Sequence, residues 1–397
     1  MKGEIRLPES KSIAARLLTA SLLSGCNPER INNLPECDDT DKLLSAVKAI
    51  GEGGKVSIDI GEGGTTFRFL LSAVASIPGS DVEMKLSRGL ASRPVMPLVE
   101  ALRSMGAEIE GAGEEYQIKG RPLQGGEIEI DGSVSSQFIS SLMLAAPYWE
   151  KGATIRIVGS AVSASYLRMT AAIMSALGAK LEFSDGMRHI RIERGGYHFP
   201  DSLSVEKDWS GASYFFEEEY LRGFETGDSP DFDKLEKDLG LTSPEVSLQG
   251  DSRCGDLFRR LYETSIGETF SADMNDTPDL VPALLIAGVV SGKRMELTGI
   301  GHLRFKESDR LSALQRELGK LGYTIEIETG GTLRYDGKRL INKDCDAERV
   351  SISTYGDHRI AMAFAPLAKR GEVMIEHPEV VDKSFPGFWD MFPGFWV

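Results

Sequence analysis

The sequence predicts an α/β protein assembled from repeated supersecondary units. Two observations carry that prediction: a helix-to-strand joint that recurs along the chain, and a loop-to-helix joint that recurs with it. The first joint reads Ala101-Leu102-Arg103-Ser104-Met105-Gly106-Ala107-Glu108-Ile109 in one copy and Ile173-Met174-Ser175-Ala176-Leu177-Gly178-Ala179-Lys180-Leu181 in another. A third is Leu318-Gly319-Lys320-Leu321-Gly322-Tyr323-Thr324-Ile325. Each copy ends a helix on a glycine, which takes the left-handed C-cap conformation without steric cost, and then alternates apolar residues as a half-buried strand does. Residues 47–51 followed by 55–58 form a looser copy. At 397 residues the chain has room for two to three domains of this kind.

The second joint runs from a polar or glycine-rich loop into an apolar helix. It occurs at Ser10-Lys11-Ser12, Gly63-Gly64-Thr65-Thr66, Ser133-Val134-Ser135-Ser136, Thr277-Pro278-Asp279 and Tyr355-Gly356-Asp357. The apolar runs that follow are 13–23, 67–75, 138–146, 280–289 and 359–368. Serine, threonine and aspartate cap helix starts, and Pro278 suits the first helical position, where an N–H is not missed. Helix starts also attract anions, because free N–H groups and the positive end of the macrodipole face outward.

Any one such start is an ordinary cap, but cations accompany most of them. Lys11 and Arg16, Arg68, and Arg359 lie in or within a turn of three starts; Arg93, Arg304, Lys306 and Arg310 add to the set. The chain is acidic, with 60 acidic against 45 basic residues and a net charge of -15. Cations reserved for helix starts in such a chain point to a site for small polyanions. The same net charge repels a nucleic-acid backbone, so no nucleic-acid partner is expected.

Other classes are disfavoured on similar grounds. The longest apolar run, 280–290, falls short of the ~20 residues that span a bilayer, so no membrane role is expected. Residues 1–8 carry Lys2, Glu4 and Arg6 and lack a signal-peptide core, which suggests a cytoplasmic protein. Cys26, Cys37, Cys254 and Cys345 show no paired spacing, and the five histidines no metal-ligand cadence, so neither disulfide, metal nor cofactor is expected. A monomer is expected. The acidic stretch 217–238 reads as a solvated surface excursion, and the repeated Phe-Pro-Gly-Phe-Trp at 385–389 and 392–396 as aromatic packing.

Six stretches, in order, resemble the motifs of the 5-enolpyruvylshikimate-3-phosphate synthase family. They are residues 8–16 with Lys11-Ser12 and Arg16, residues 61–68, Gly132-Ser133-Val134-Ser135-Ser136-Gln137-Phe138, Lys306-Glu307-Ser308-Asp309-Arg310, Asp357-His358-Arg359, and Lys383-Ser384-Phe385-Pro386. The resemblance spans nearly the whole chain. It implies two similar domains, each of three βαβαββ-type units, in the inside-out α/β barrel of the enolpyruvyl transferase fold. The expected domains are 9–206, on the shikimate-phosphate side, and 1–8 with 207–397, carrying most acid/base and phosphoenolpyruvate residues. Helix starts would point into the cleft between them. Repulsion among clustered cations would hold that cleft open without ligand.

The same resemblance implies roles. Lys11, Ser12, Arg16, Ser135, Ser136, Gln137, Ser163, Tyr166, Asp279, His302 and Lys306 would bind shikimate 3-phosphate. Lys11, Gly64, Arg93, Gln137, Arg310, Arg359 and Lys383 would bind phosphoenolpyruvate. The reaction needs a proton for the methylene carbon and a base for the attacking hydroxyl, so Glu307 is the candidate acid and Asp279 the candidate base, with Lys11 and His358 assisting. The chain departs from the family at Glu9, Ala15, Glu62-Gly63 and His302. Of these, Glu62 matters most: a carboxylate ~6 Å from a bound anion opposes it by ~2 to 3 kcal/mol. Two alternatives remain open. One is a noncatalytic anion-binding relative; the other is the enolpyruvyl transferase acting on a UDP-linked amino sugar, whose reactive cysteine loop is not visible here.

Overall fold

The computed structural model describes residues 6–159, 162–339 and 349–392. The chain divides into two compact units: Glu9–Glu206, and Met1–Pro8 together with Lys207–Val397. Each unit ties its own chain ends together. Ser10 N donates to Glu206 O at 2.8 Å in the first, and Asp208 N donates to Pro8 O at 2.9 Å in the second. Each also buries its own apolar core, one including Phe67, Phe138 and Trp149, the other Trp209, Phe258 and Phe364.

The repeat foreseen in the sequence is a four-stranded sheet with one invariant plan. In Glu9–Glu206 the lateral order is Lys55–Gly61, Asp81–Leu86, Glu115–Lys119, Glu108–Ala112 in one sheet, and Gly126–Asp131, Ala153–Val158, His189–Ile192, Leu181–Ser184 in the next. The second unit repeats it with Thr269–Asp273, Arg294–Thr298, Leu333–Arg339 and Tyr323–Ile327. In every copy the first two strands are parallel and the last two antiparallel. A parallel pair requires a crossover. Here the helices Gly64–Ala75, Ser136–Ala145 and Val281–Val290 supply it.

These crossover helices are apolar on nearly every face and almost entirely buried, whereas the strands alternate buried and exposed positions. Helices therefore form the interior of each unit and sheets its outer wall, which is the inside-out arrangement. Two shorter parallel pairs, Ile31–Asn32 with Leu203–Ser204 and Val350–Ile352 with Val373–Ile375, stand where further units are expected. Among the described residues, three complete four-stranded sheets and two reduced pairs thus answer to five of the six expected units.

The glycine joints work as the pattern requires. Gly106 and Gly178 adopt φ of 99° and 92°. Their N–H groups bond Arg103 O and Ser175 O, and the next residues bond Leu102 O and Met174 O, which satisfies carbonyls left over at the helix end. Gly322 does the same with φ 82° and Gly319 O. The looser copy differs: the helix Asp38–Glu52 runs through Gly51 and stops at Gly53. The run 359–368 is also not one helix. Pro366, which cannot donate into the preceding turn, separates His358–Ala363 from Ala365–Lys369.

The acidic stretch 217–238 is not a solvated excursion at its start. The helix Trp209–Thr226 is buried along most of its length, including Glu217, Tyr220 and Leu221. Its apolar residues fill the second core, and Phe215 packs against Phe385, Phe388 and Phe392 at the carboxyl end. The remainder of the second aromatic copy lies outside the described residues.

Glu217 is fully buried, and neither carboxyl oxygen has a hydrogen-bond partner among the described residues. Burial, then the charge of Glu218, pushes its pKa well above the ordinary 4.5. The folded protein therefore keeps a proton that the unfolded chain releases above that pH, and stability falls as pH rises from about 4.5 toward the folded-state pKa. Glu217→Gln removes this loss. Urea unfolding between pH 4 and 8 is expected to show the variant gaining on the parent by up to about 1.4 kcal/mol per pH unit; a difference that does not change with pH contradicts the assignment.

Candidate active site

In the Glu9–Glu206 unit, four buried helices begin near the candidate residues. Lys11 opens the helix Lys11–Ser24, and its Nζ lies 2.8 Å from Asp39 Oδ2 at the start of Asp38–Glu52. A small pocket is lined by Lys11, Ser12, Asp39, Thr65 and Thr66. Arg16, one turn into the first helix, is buried; its Nε donates to Thr170 Oγ1 (2.8 Å) and its Nη1 to Ser12 O (2.7 Å). Its other amino group reaches Tyr166 O (3.3 Å) and Ser140 Oγ (3.4 Å), and its plane lies over the rings of Phe69 and Tyr166. Burial lowers its pKa to about 10, so it stays charged at neutral pH.

Ser135 caps the helix Ser136–Ala145 by accepting from Gln137 N. The Gln137 amide then joins two helix starts, accepting from Arg68 Nη1 at 2.6 Å and donating to Thr65 Oγ1 at 3.0 Å. Ser163 sits at φ 55°, a left-handed conformation unusual for serine, at the start of Ala164–Ala176. Gly64 answers a packing need: a Cβ there would come within 2.9 Å of Arg68 Nη1 and 3.3 Å of Arg93 Nη1. Two guanidinium groups thus converge on one helix start. Glu62, the departure singled out in the sequence, turns onto this group. Its Oε2 lies 3.6 Å from Arg93 Nη2, and it accepts from the Ser87 hydroxyl.

The second unit concentrates its candidates around Arg310, which is 1% exposed. Its Nη1 donates to Asp279 Oδ1 (2.9 Å), its Nη2 to Glu307 Oε2 (2.7 Å) and its Nε to Asp357 Oδ2 (2.8 Å). Asp279 spans two arginines, since its Oδ2 accepts from Arg359 Nη2 at 2.8 Å. Asp357 caps His358–Ala363 through Arg359 N and accepts from Ser308 Oγ. Tyr214 Oη lies 3.5 Å from Arg359 Nη1. Lys383 ends the 3-10 turn Pro378–Lys383, which packs against the His358–Ala363 helix.

Electrostatics follow from these pairs. Burial alone would raise the Asp279 pKa, but Arg359, Lys306 and Arg310 outweigh it and hold the carboxyl well below the usual range. Asp279 is therefore ionised and, in this arrangement, a feeble base. His302 is driven down to about 3 by burial and by Lys306, so it presents a neutral imidazole. Lys306 is itself lowered, chiefly by burial. Asp251, bonded to Ser210, is raised to about 7 by burial and by Asp279.

The structure thus brings Lys11, Ser12, Arg16, Gly64, Arg93, Ser135, Ser136, Gln137, Ser163 and Tyr166 into one unit. It brings Asp279, His302, Lys306, Glu307, Arg310, His358, Arg359 and Lys383 into the other. One expectation needs correction. Clustered cations do not simply repel one another, because Lys11, Arg93, Arg310 and Arg359 each have a carboxylate of their own unit beside them. Asp39, Ser87 and Tyr214 carry no signal in the sequence, whereas Asp251 and Asp357 lie in family-like stretches that do not by themselves reveal a role.

A family model described as EPSP synthase (3-phosphoshikimate 1-carboxyvinyltransferase) matches residues 1–57, 52–218 and 258–392. The 3-phosphoshikimate 1-carboxyvinyltransferase of Bacteroides fragilis is 37% identical over 410 residues, covering 98% of this chain and 94% of its own. That of Methanoculleus marisnigri is 32% identical over 428 residues, covering 98% and 95%. Among solved structures, an EPSP synthase from Acinetobacter baumannii aligns over 98% of this chain and 94% of its own, with a TM-score of 0.63 at 20% identity. The enolpyruvyl transferase NikO from Streptomyces tendae aligns over 99% and 94%, with a TM-score of 0.64 at 15% identity. The solved structures agree on the fold, the family model and the sequence relatives agree on the lineage, and the chain belongs to the EPSP synthase family.

Proposed function

We infer that the protein transfers the enolpyruvyl group of phosphoenolpyruvate to the 5-hydroxyl of shikimate 3-phosphate, releasing phosphate, in the route to chorismate and the aromatic amino acids. Beyond family membership, the observation that carries this reading is the buried cluster of Arg310 and Arg359 around Asp279, with Glu307 on the same guanidinium. Fixed guanidinium forks match the carboxylate and phosphate of phosphoenolpyruvate, and an adjacent acid and base match its chemistry. Arg93, Arg310, Arg359 and Lys383 bind that substrate, and Gly64 lets it approach a helix start. Lys11 and Gln137 touch both substrates.

Shikimate 3-phosphate takes Ser12 and Arg16 at its carboxylate end and Ser135, Ser136, Ser163 and Lys306 at its phosphate. Tyr166 and the neutral His302 line its ring. The 5-hydroxyl oxygen bonds to C2 of phosphoenolpyruvate as Asp279 takes the hydroxyl proton and Glu307 delivers a proton to C3. The resulting tetrahedral ketal then loses phosphate, which takes the proton from Asp279, as Glu307 takes a proton back from the new methyl group. Asp279 gains basicity when substrate oxygens draw Arg310 and Arg359 toward themselves and add negative charge nearby. Lys11 and His358 assist by stabilising developing charge. The reaction uses small anionic substrates and is assigned to a monomer in the cytoplasm; among the described residues no helix is long and apolar enough to cross a membrane.

Mixing the protein with both substrates is expected to release phosphate, while either alone releases none. No release with both contradicts the function and favours a noncatalytic anion binder; release that requires a UDP-linked amino sugar instead favours the wall-synthesis transferase. Glu307→Gln is expected to lower kcat by roughly 10²–10⁴-fold. Asp279→Ala should do the same and also lose about 3–5 kcal/mol of stability, because it strips a carboxylate from two buried guanidinium groups. Steady-state kinetics with thermal melts check both, and near-normal turnover in the two variants removes these residues from the mechanism.

A further inference from the structure

The departure at Glu62 has a defined place in the structure. Glu62 immediately precedes Gly63, the N-cap of Gly64–Ala75, and that cap has no side chain to satisfy the helix start. At Gly64, Arg68 Nη1 and Arg93 Nη1 both lie within 3.3 Å of where a Cβ would stand. A helix start flanked by two guanidinium groups is an anion site. Glu62 supplies an anion at its edge, with Oε2 at 3.6 Å from Arg93 Nη2 and Oε1 accepting from the Ser87 hydroxyl.

The surroundings are shaped to admit the carboxylate. A Cβ on Gly89 would lie 2.9 Å from Glu62 Oε1 and 3.1 Å from Oε2, so glycine at 89 leaves the room it uses. Ser87 is itself fixed, because its hydroxyl caps the short helix Arg88–Ala91 by accepting from Leu90 N. The Glu62 side chain is half exposed, so water can take it over when it leaves.

We propose that Glu62 is a resident competitor for Arg93, occupying that guanidinium in the unliganded protein and setting the affinity for phosphoenolpyruvate by having to be displaced. This rests on the reading of Arg93 as a phosphoenolpyruvate ligand. A substrate phosphate or carboxylate that approaches Arg93 must swing Glu62 away or accept repulsion from it. Both weaken binding, and neither touches the proton transfers. Glu62 is thus a specificity-setting residue whose effect falls on substrate capture.

The test is steady-state kinetics with phosphoenolpyruvate varied at saturating shikimate 3-phosphate. Glu62→Gln keeps the shape and removes the charge; it is expected to lower the KM for phosphoenolpyruvate by about two- to fivefold, the scale of a half-exposed ion pair, with a smaller change in kcat. Gly89→Ala, which crowds the carboxylate off its perch, is expected to shift KM in the same direction, and that shift should vanish in the Glu62→Gln background. A KM unchanged in Glu62→Gln, with only a lower melting temperature, would show that the carboxylate merely braces the loop and would overturn the proposal. So would a Gly89→Ala effect that persists without the Glu62 charge. A parent protein that shows no turnover at all contradicts the proposed function itself, which is a different outcome from turnover with an insensitive KM.

Discussion

The arrangement depends on one constraint, the burial of the Arg310 guanidinium. A cation taken out of water costs several kcal/mol unless its donors are met, and Arg310 is met by Asp279, Glu307 and Asp357. That requirement fixes the relative positions of three helix starts: 278–281, 309–310 and 357–358. It also places the candidate acid and base on one guanidinium. In the proposed function this cluster would take the charged groups of the substrate in exchange for its own carboxylates.

The other unit follows the same logic with looser bonds. Lys11 has Asp39, Arg93 has Glu62, and Arg68 is held by Gln137 and Pro94 O. Under the proposed function, binding here would be an exchange of partners. Its strength depends on how firmly each resident carboxylate is held, which runs from the fully enclosed Asp357 to the half-exposed Glu62. Asp279 is a depressed, ionised carboxylate while the arginines belong to it; under the proposed reaction it would become a stronger base once substrate shared them.

Local chemistry was legible in the sequence wherever a single residue type forces a backbone shape. Gly106, Gly178 and Gly322 announced helix ends because left-handed C-caps favour glycine, and Ser135, Pro278 and Asp357 announced helix starts. The motifs carried the cationic residues with them. What could not be read was pairing over long separations. Ser87 on Glu62 and Asp39 on Lys11 are set by packing between segments about 25 residues or more apart, and nothing local marks them. Glu217 misled for a related reason: a glutamate among acidic neighbours reads as solvated, but helix Trp209–Thr226 turns that face into an aromatic core. Gly51 misled because a second and third glycine, Gly53 and Gly54, follow it, and the helix used the later stop.

The central claim is that resident carboxylates hold these cations until substrate anions replace them. A crystal structure of the protein with shikimate 3-phosphate and phosphoenolpyruvate bound tests it most directly. The account predicts phosphoenolpyruvate oxygens within hydrogen-bond distance of Arg93, Arg310 and Arg359, with the Glu62 carboxylate moved off Arg93. Phosphoenolpyruvate bound elsewhere, with the carboxylate pairs of those arginines undisturbed, would contradict it.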